Sequence, residues 1–310
     1  TQDELQRIMK QRPFSNLVVK RIASITSLLL TIMVIFVLTS VSNNPSHLEL
    51  FNTPTVIAHR GGGDYAPENT ISGIEMGIDL GADSVEFDVR FTVDGVPILM
   101  HDSTLGRTTN DTSNRAVNTV TLAEIKELDA GSWFSEDYIG EQVPTLAEAL
   151  EVIGRNIDIF IELKADYENS AEIIVQIIEE ASVESQVKVI SFNSNTLEQM
   201  KAENERIETL LLISSFIGDI NTLVNKDYVD DYGFYYSVIS NNSLYVRTLQ
   251  QAGKDVYVWT VNDEAVLLEM INLNVDGIIT DKPLLTRELV YGDSKKSEFT
   301  KLLELLFIRN

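Results

Sequence analysis

Two hydrophobic periods alternate along residues 54 to 292. Short apolar runs rich in Val, Ile and aromatic residues are followed by segments of about ten to fifteen residues with apolar positions at helical spacing. This alternation is typical of βαβ units that build a parallel sheet. The predicted strands are Thr55 to Ala58, Ser84 to Val89, Pro97 to His101, Ile157 to Leu163, Val187 to Ser191, Thr209 to Ile213, Tyr235 to Ile239, Val256 to Thr260 and Gly277 to Thr280.

The second and third predicted strands are joined by a short polar connection. Residues 92 to 95 contain an Asp-Gly turn and are too few for a parallel crossover, so we expect these two strands to pair antiparallel. The remaining eight strands then predict a slightly irregular α/β barrel. Residues 103 to 142 follow neither the helical nor the strand period, apart from 122 to 128, and we interpret them as an insertion over one end of the barrel.

A third pattern precedes the barrel. Residues 22 to 41 are twenty consecutive uncharged positions rich in Leu, Ile, Val and Met, which is long enough for a transmembrane helix. A secretory signal would have a shorter apolar region and a clear cleavage site. Residues 42 to 53 form the linker to the barrel.

The charges around this apolar segment predict its orientation. Five basic residues lie in residues 1 to 21, two of them, Lys20 and Arg21, directly before the apolar segment. The positive-inside rule therefore places residues 1 to 21 in the cytoplasm, and the barrel outside the cell at the membrane. The formal net charge is −23, and an acidic barrel repels polyanions, which argues against nucleic acid as a partner.

Candidate catalytic groups lie at the ends of the predicted strands. The chain has three histidines and no cysteine, which excludes thiol nucleophiles and Cys-bound zinc. His59 and His101 each end a predicted strand, the place where barrel enzymes carry their chemistry. A structural role is the alternative for each histidine taken alone.

Acidic residues within the apolar strands indicate a cation site. Glu86 and Asp88 are two positions apart on one strand and so share a face, and Glu162 and Lys164 repeat this spacing on another. Buried carboxylates require a counter-charge, and an oxygen-only ligand set suits Ca²⁺ or Mg²⁺. A Glu162–Lys164 ion pair without metal is the alternative. It would leave Glu86 and Asp88 as facing like charges.

Several sequence motifs occur in a fixed order over about residues 54 to 290. They are Val56-Ile-Ala-His-Arg-Gly-Gly, Ala66-Pro-Glu-Asn-Thr-Ile, Val85-Glu-Phe-Asp-Val, Ile98-Leu-Met-His-Asp-Ser-Thr-Leu-Gly-Arg-Thr-Thr-Asn, Leu128-Asp-Ala-Gly-Ser-Trp-Phe, Val143-Pro-Thr-Leu, Ile161-Glu-Leu-Lys, Val258-Trp-Thr-Val-Asn and Gly277-Ile-Ile-Thr-Asp-Lys-Pro. In this order the motifs resemble those of the glycerophosphodiester phosphodiesterase family.

The resemblance implies a TIM-type (β/α)8 barrel and a role for each candidate residue. His59 and His101 match the general acid and base, and Glu86, Asp88 and Glu162 match the ligands of one divalent cation.

Other residues match positions around the substrate. Arg60 and Lys164 match phosphate-binding positions. Glu68 and Asn69 match supporting positions, where Glu68 is expected to orient a catalytic group. Trp259 is expected either to wall the substrate pocket or to pack in the core.

The implied activity is metal-dependent hydrolysis of glycerophosphodiesters to glycerol 3-phosphate and an alcohol. At a cell surface the substrate would be a deacylated phospholipid, a lysolipid or a glycerophosphate polymer. Lysophospholipase D-like cleavage, another phosphodiesterase activity on the same barrel, and a non-catalytic glycerophosphate-binding module remain alternatives. Residues 293 to 310 place apolar side chains on one helical face beside lysines, which fits either a membrane-surface helix or a helix packed on the barrel.

Overall fold

The computed structural model describes residues 53–164 and 167–292. The predicted cytoplasmic segment, the apolar segment 22–41 and the tail 293–310 lie outside the described residues, as does the linker except for its last residue. Within the described part of the chain, the helices are too short or too polar for any of them to cross a bilayer.

Eight parallel strands close into a barrel, and a ninth strand is added to the outside of its second strand. The order is β1-β9-β8-β7-β6-β5-β4-β2-β3, and pairing of β1 with β2 closes the ring. The structure therefore confirms the predicted TIM-type architecture. The strands are β1 Thr55–Ala58, β2 Ser84–Phe91, β3 Pro97–Leu99, β4 Asp158–Leu163, β5 Val187–Ser191, β6 Glu208–Ile213, β7 Asp231–Tyr235, β8 Val256–Trp259 and β9 Gly277–Thr280.

Strand β3 confirms the predicted antiparallel pair. It follows the Asp-Gly turn and pairs Leu99 with Val89 and Pro97 with Phe91. Strand β2 continues beyond the barrel in order to make this pair, so β3 runs back toward the carboxyl-terminal mouth of the barrel. The main chain of Met100 donates to the Asp88 carbonyl at 2.9 Å, which brings the residue after it, His101, over that mouth.

The seventh predicted strand, Tyr235 to Ile239, is wrong. The strand is β7, and Tyr236 begins a helix instead. Aromatic and β-branched residues in a short apolar run cannot distinguish a strand from a buried helix. The real strand contains Asp231 and Gly233, residue types that are rare in strands. Gly233 fits here because a β-carbon would lie within 3 Å of the side-chain methyl groups of Leu210 and Leu212, which would then have to shift.

Helices pack outside the barrel and follow the βα order. Several of them start at a side-chain cap, as in the capping box between Thr145 and Glu148. The helices are α1 Ile71–Asp79, α2 Leu122–Ile125, α3 Leu146–Ile153, α4 Ser170–Ala181, α5 Ser194–Glu203, α6 Asn221–Val224, α7 Tyr236–Asn241, α8 Leu244–Gln251, α9 Glu264–Asn272 and α10 Pro283–Tyr291, and short 3₁₀ turns lie at Gly63–Tyr65, Val117–Thr119 and Glu136–Tyr138.

The insertion, residues 103–142, has a small apolar core of its own. Leu105, Val117, Val120 and Ile125 are buried with residues of β3 and its neighbours. The regular element expected within 122 to 128 is the short helix α2, which ends at Ile125. The insertion is therefore an ordered layer that packs against β3. It begins in the chain just after His101.

A buried lysine occupies the amino-terminal end of the barrel interior. Lys188 is 7% exposed, donates to Asp231 and lies 4.8 Å from the Tyr257 ring centroid. Burial disfavours its charge, yet Tyr257 and Asp231 raise the pKa of Lys188 above its ordinary value. Lys188 therefore stays charged and compensates a carboxylate that lies among apolar side chains.

We predict that Lys188→Met destabilises the barrel by about 3 kcal/mol or more, because it leaves the buried Asp231 without its partner. Urea unfolding followed by circular dichroism measures the change. Arg206→Met is the control, since Arg206 is exposed and lies 3.8 Å from Glu184, and it should cost less than about 1 kcal/mol. Equal losses in the two variants would contradict a stabilising role for Lys188.

Candidate active site

Three carboxylates meet on the inner face of the barrel near its mouth. The register pairs Asp88 with Glu162, and Glu86 lies two positions before Asp88 on the same face. All three side chains are buried, and one oxygen of each lies within 4.8 Å of the others. The structure thus brings together the three predicted cation ligands from strands β2 and β4.

The electrostatics of this cluster are unfavourable without added positive charge. Burial and the neighbouring Asp88 raise the pKa of Glu86 to about 8, and burial and Asp88 also raise the pKa of Glu162. Burial opposes ionisation of Asp88 as well, but Lys164, His101 and Arg60 hold its pKa below the ordinary value. One carboxylate is therefore kept charged while its two neighbours resist ionisation.

Each of the three carboxylates has one oxygen that accepts no hydrogen bond from any described residue. Lys164 Nζ lies 3.1 Å from Asp88 Oδ1 and 2.8 Å from Glu162 Oε1, so it offsets part of the charge on these two oxygens. It is not paired with Glu86 in this way. Buried carboxylate oxygens without donors are rare, and a hard cation is the group that such a set suits.

Neighbouring polar groups fix the outer oxygens of the cluster. Asn69 donates to Asp88 Oδ2 at 2.8 Å and its own oxygen accepts from the Asp88 main chain at 2.9 Å. The main chain of Arg60 donates to Glu86 Oε2 at 2.9 Å. The outer oxygens are thereby held by the protein, which leaves the unpaired oxygens of the cluster facing one another.

The loop after β1 positions the guanidinium of Arg60 beside the carboxylates. Arg60 has a left-handed backbone, with φ of 53°, and this directs its guanidinium toward the mouth. Its Nη1 donates to Glu68 at 2.9 Å, and its Nε lies 3.6 Å from Asp88 Oδ2. Glu68 therefore orients Arg60, which was predicted to bind phosphate.

His59 forms a dyad with Asp281, which follows β9. Its Nδ1 lies 2.6 Å from Asp281 Oδ1, and Asn262 donates to the other oxygen of Asp281 at 2.6 Å. The Asn262 oxygen accepts from the main chain of Asp281, which fixes the orientation of the amide. Burial acts to lower the pKa of His59, but the hydrogen bond to Asp281 and the charge of Glu86 raise it overall.

His101 forms a second dyad with the next residue, Asp102. Its Nδ1 lies 2.8 Å from Asp102 Oδ1, and Arg107 donates to both oxygens of Asp102. Burial lowers the pKa of His101, against the raising effects of Asp88 and Asp102. The two imidazoles are thus unequal: His59 is the one that favours the protonated form, and His101 favours the neutral form.

A cavity of about 210 Å³ lies over these groups. One side is charged and is formed by the histidines, Arg60, Lys164 and two of the carboxylates. The other side is apolar, and Trp259 is part of it: its ring meets Phe192 edge-on at 5.2 Å, and its Nε1 donates to the Gly233 carbonyl at 2.9 Å. The lining residues are His59, Arg60, Glu86, His101, Glu162, Lys164, Ile190, Phe192, Leu212, Trp259, Thr260 and Ile279.

All ten residues predicted for the site therefore lie in it or directly behind it. Four further residues were missed: Asp102, Arg107, Asn262 and Asp281. Asp281 and Asn262 have a detectable signal, because each lies directly beyond a strand end within a motif of the barrel. Asp102 directly follows a candidate histidine. Arg107 lies in the motif that contains His101, but its position in an irregular segment does not predict its partners.

Comparison with known proteins gives a consistent result. The model of the glycerophosphoryl diester phosphodiesterase family matches residues 59–285. A glycerophosphodiester phosphodiesterase from Caldanaerobacter subterraneus subsp. tengcongensis is 36% identical over 233 residues, which cover 74% of this chain and 94% of that protein. A glycerophosphodiester phosphodiesterase from Bacillus subtilis is 32% identical over 256 residues, which cover 76% of this chain and 86% of that protein.

Solved structures agree with the sequence relatives. A phosphodiesterase from Oleispira antarctica, in complex with the product sn-glycerol-3-phosphate, superposes with a TM-score of 0.71 at 30% identity, covering 77% of this chain and 97% of that one. A glycerophosphodiester phosphodiesterase from Agrobacterium tumefaciens superposes with a TM-score of 0.67 at 26% identity, covering 75% and 98% of the two chains.

The raised pKa of Glu86 predicts a pH-dependent stability in the absence of metal. The unfolded chain releases this proton near pH 4.5 and the folded chain near pH 8, so the folded state loses stability progressively between these values. Glu86→Gln removes this loss. In EDTA, its melting temperature should therefore exceed that of the wild type by an amount that grows from pH 5 to pH 8.

The exposed variant Glu75→Gln is the control, and its difference from the wild type should stay constant over this pH range. A constant difference for Glu86→Gln as well would show that Glu86 ionises normally in the folded protein.

Proposed function

The chain belongs to the glycerophosphoryl diester phosphodiesterase family, and on that premise we propose that it hydrolyses glycerophosphodiesters to glycerol 3-phosphate and an alcohol by acid-base catalysis at His59 and His101. The product named for the Oleispira relative supports this reaction. The observation that carries the proposal is the pair of histidine–carboxylate dyads facing one cavity beside Arg60 and Lys164.

The donor set fits one divalent cation, Ca²⁺ or Mg²⁺. Glu86, Asp88 and Glu162 would hold it, because their oxygens lie close together and Lys164, the one ammonium that the described residues place beside them, pairs with only two of the three carboxylates. When bound, such a cation would draw negative charge from the non-bridging oxygens of the phosphate. It would also relieve the repulsion that raises the pKa of Glu86.

The two histidines divide the proton transfers. His101 favours the neutral form with Nδ1 bonded to Asp102, so its Nε2 can accept the proton of the attacking hydroxyl, from water or from the glycerol 2-hydroxyl. His59 favours the protonated form with Nδ1 bonded to Asp281, so its Nε2 can donate to the oxygen of the leaving alcohol as the P–O bond breaks.

The charged and apolar sides of the cavity would contact different parts of the substrate. Arg60 and Lys164 would hold the phosphate, as a fork and a point charge, while Trp259 and its apolar neighbours would contact carbon-bound surface. A cavity of about 210 Å³ is smaller than those that enclose drug-sized ligands. It therefore suits the glycerol phosphate part of a deacylated phospholipid, a lysolipid or a glycerophosphate polymer, with the alcohol directed outward.

We predict that the full chain releases glycerol 3-phosphate from glycerophosphocholine and that EDTA abolishes the release. His59→Ala should lower kcat by about 10²-fold or more, since general acid-base groups contribute about that much. Asp281→Asn should also lower kcat, because it removes the acceptor that orients His59. Enzyme-coupled detection of glycerol 3-phosphate measures each rate.

Asp79→Asn is the matched control, since Asp79 is exposed at the end of α1 and its side chain makes no described hydrogen bond to a residue of the cavity. It should retain wild-type kcat. Full activity in His59→Ala, or in EDTA, would contradict the proposed mechanism.

We further propose that residues 22–41 anchor the barrel at the outer face of the cell membrane, supported by their uncharged apolar composition and by the basic residues before them. The chain lacks cysteine, so single cysteines can report sidedness. In intact cells, a membrane-impermeant maleimide should label Ser113→Cys, on the exposed surface of the insertion, and should not label Ser15→Cys. The reverse pattern would refute this orientation.

A further inference from the structure

Arg107 of the insertion makes four hydrogen bonds to two carboxylates. Its Nη1 and Nη2 donate to the two oxygens of Glu68 at 2.8 and 2.7 Å, and its Nε and Nη2 donate to the two oxygens of Asp102 at 2.6 and 3.0 Å. A planar guanidinium can satisfy two carboxylates in this way, whereas an ammonium is a point charge without the fork geometry.

Each of these carboxylates also holds a residue of the cavity. Glu68 Oε1 accepts from Arg60 Nη1 at 2.9 Å, and Asp102 Oδ1 bonds His101 Nδ1 at 2.8 Å. Arg107 Nη2 donates to both of these same oxygens. One side chain therefore connects the group proposed to bind phosphate with the group proposed to act as base.

We propose that Arg107 is a positioning residue that sets the relative placement of His101 and Arg60, acting through Asp102 and Glu68. This inference rests on the proposed function, because it gives those two residues their roles. Arg107 is not among the described residues that line the cavity, so it acts behind the residues that contact substrate. Through Arg107 the insertion influences the geometry of the active site, although Arg107 does not line the cavity.

The exposure of Arg107 separates this role from a purely stabilising one. Its side chain is 43% exposed, and ion pairs at such positions contribute little to folding stability. Arg115 provides a matched comparison within the insertion, because it is 35% exposed and also bonds two carboxylates, those of Asp111 and Glu124. Neither of these carboxylates contacts a residue of the cavity through a described hydrogen bond.

The experiment compares Arg107→Ala, Arg107→Lys and Arg115→Ala in the full chain with glycerophosphocholine. Misplacement of a catalytic group lowers rates by up to about 100-fold, so we expect kcat of Arg107→Ala to fall about 10- to 100-fold with a smaller change in KM. Arg107→Lys should recover only part of the loss, and added guanidinium should partly restore Arg107→Ala. Arg115→Ala should keep wild-type kcat and a melting temperature close to that of Arg107→Ala.

A second measurement is independent of activity. The chain has only three histidines, so ¹⁵N-histidine labelling gives few imidazole signals, and His101→Gln identifies the one concerned. Arg107→Ala should shift or broaden the His101 signals and leave those of His59 unchanged. Unchanged His101 signals, a loss confined to KM, or equal kcat in Arg107→Ala and Arg115→Ala would each overturn the positioning role. Absence of turnover in the wild type with shifted His101 signals would instead reject the proposed function alone.

Discussion

The central constraint in this structure is the burial of three carboxylates on the inner face of one barrel. Glu86, Asp88 and Glu162 lie close together where water cannot solvate them, and Lys164 offsets only part of their charge. Such a cluster is costly for the fold. A bound cation would compensate the remaining negative charge. The hydrogen bonds around the cluster hold the carboxylates in place and do not neutralise them.

The same principle extends outward to the histidines. Each imidazole bonds a carboxylate through Nδ1, and each of those carboxylates is fixed by a further donor, Asn262 in one case and Arg107 in the other. The environments differ: His59 lies near Glu86, which favours its charge, whereas burial dominates at His101. This inequality fits the opposite roles that we propose for the two histidines in proton transfer.

The sequence was sufficient for the barrel and for the residues that line its charged side. Eight of the nine strands were placed within a few residues, because regular alternation of strands and helices leaves a strong periodic signal. The carboxylates were identified because a charged group within an apolar strand is costly to bury unless it has a counter-charge. The histidines were identified because they end strands of a predicted barrel, where catalytic groups lie. The strand predicted at Tyr235 to Ile239 was wrong because the actual strand, β7, includes Asp231 and Gly233. These residue types have low strand propensity, although a glycine fits the crowded interior of the barrel.

What the sequence determined by itself was therefore the set of strands and the chemical types of the groups that end them. Only the tertiary structure decided which carboxylate bonds to His59. Asp281 is 222 positions from His59 in the chain and lies beside it because β9 pairs with β1. The tertiary structure also decided the place of Arg107, whose partners lie 5 and 39 positions away on separate segments. Local patterns carry the period of an element, but only closure of the barrel sets the distances between elements.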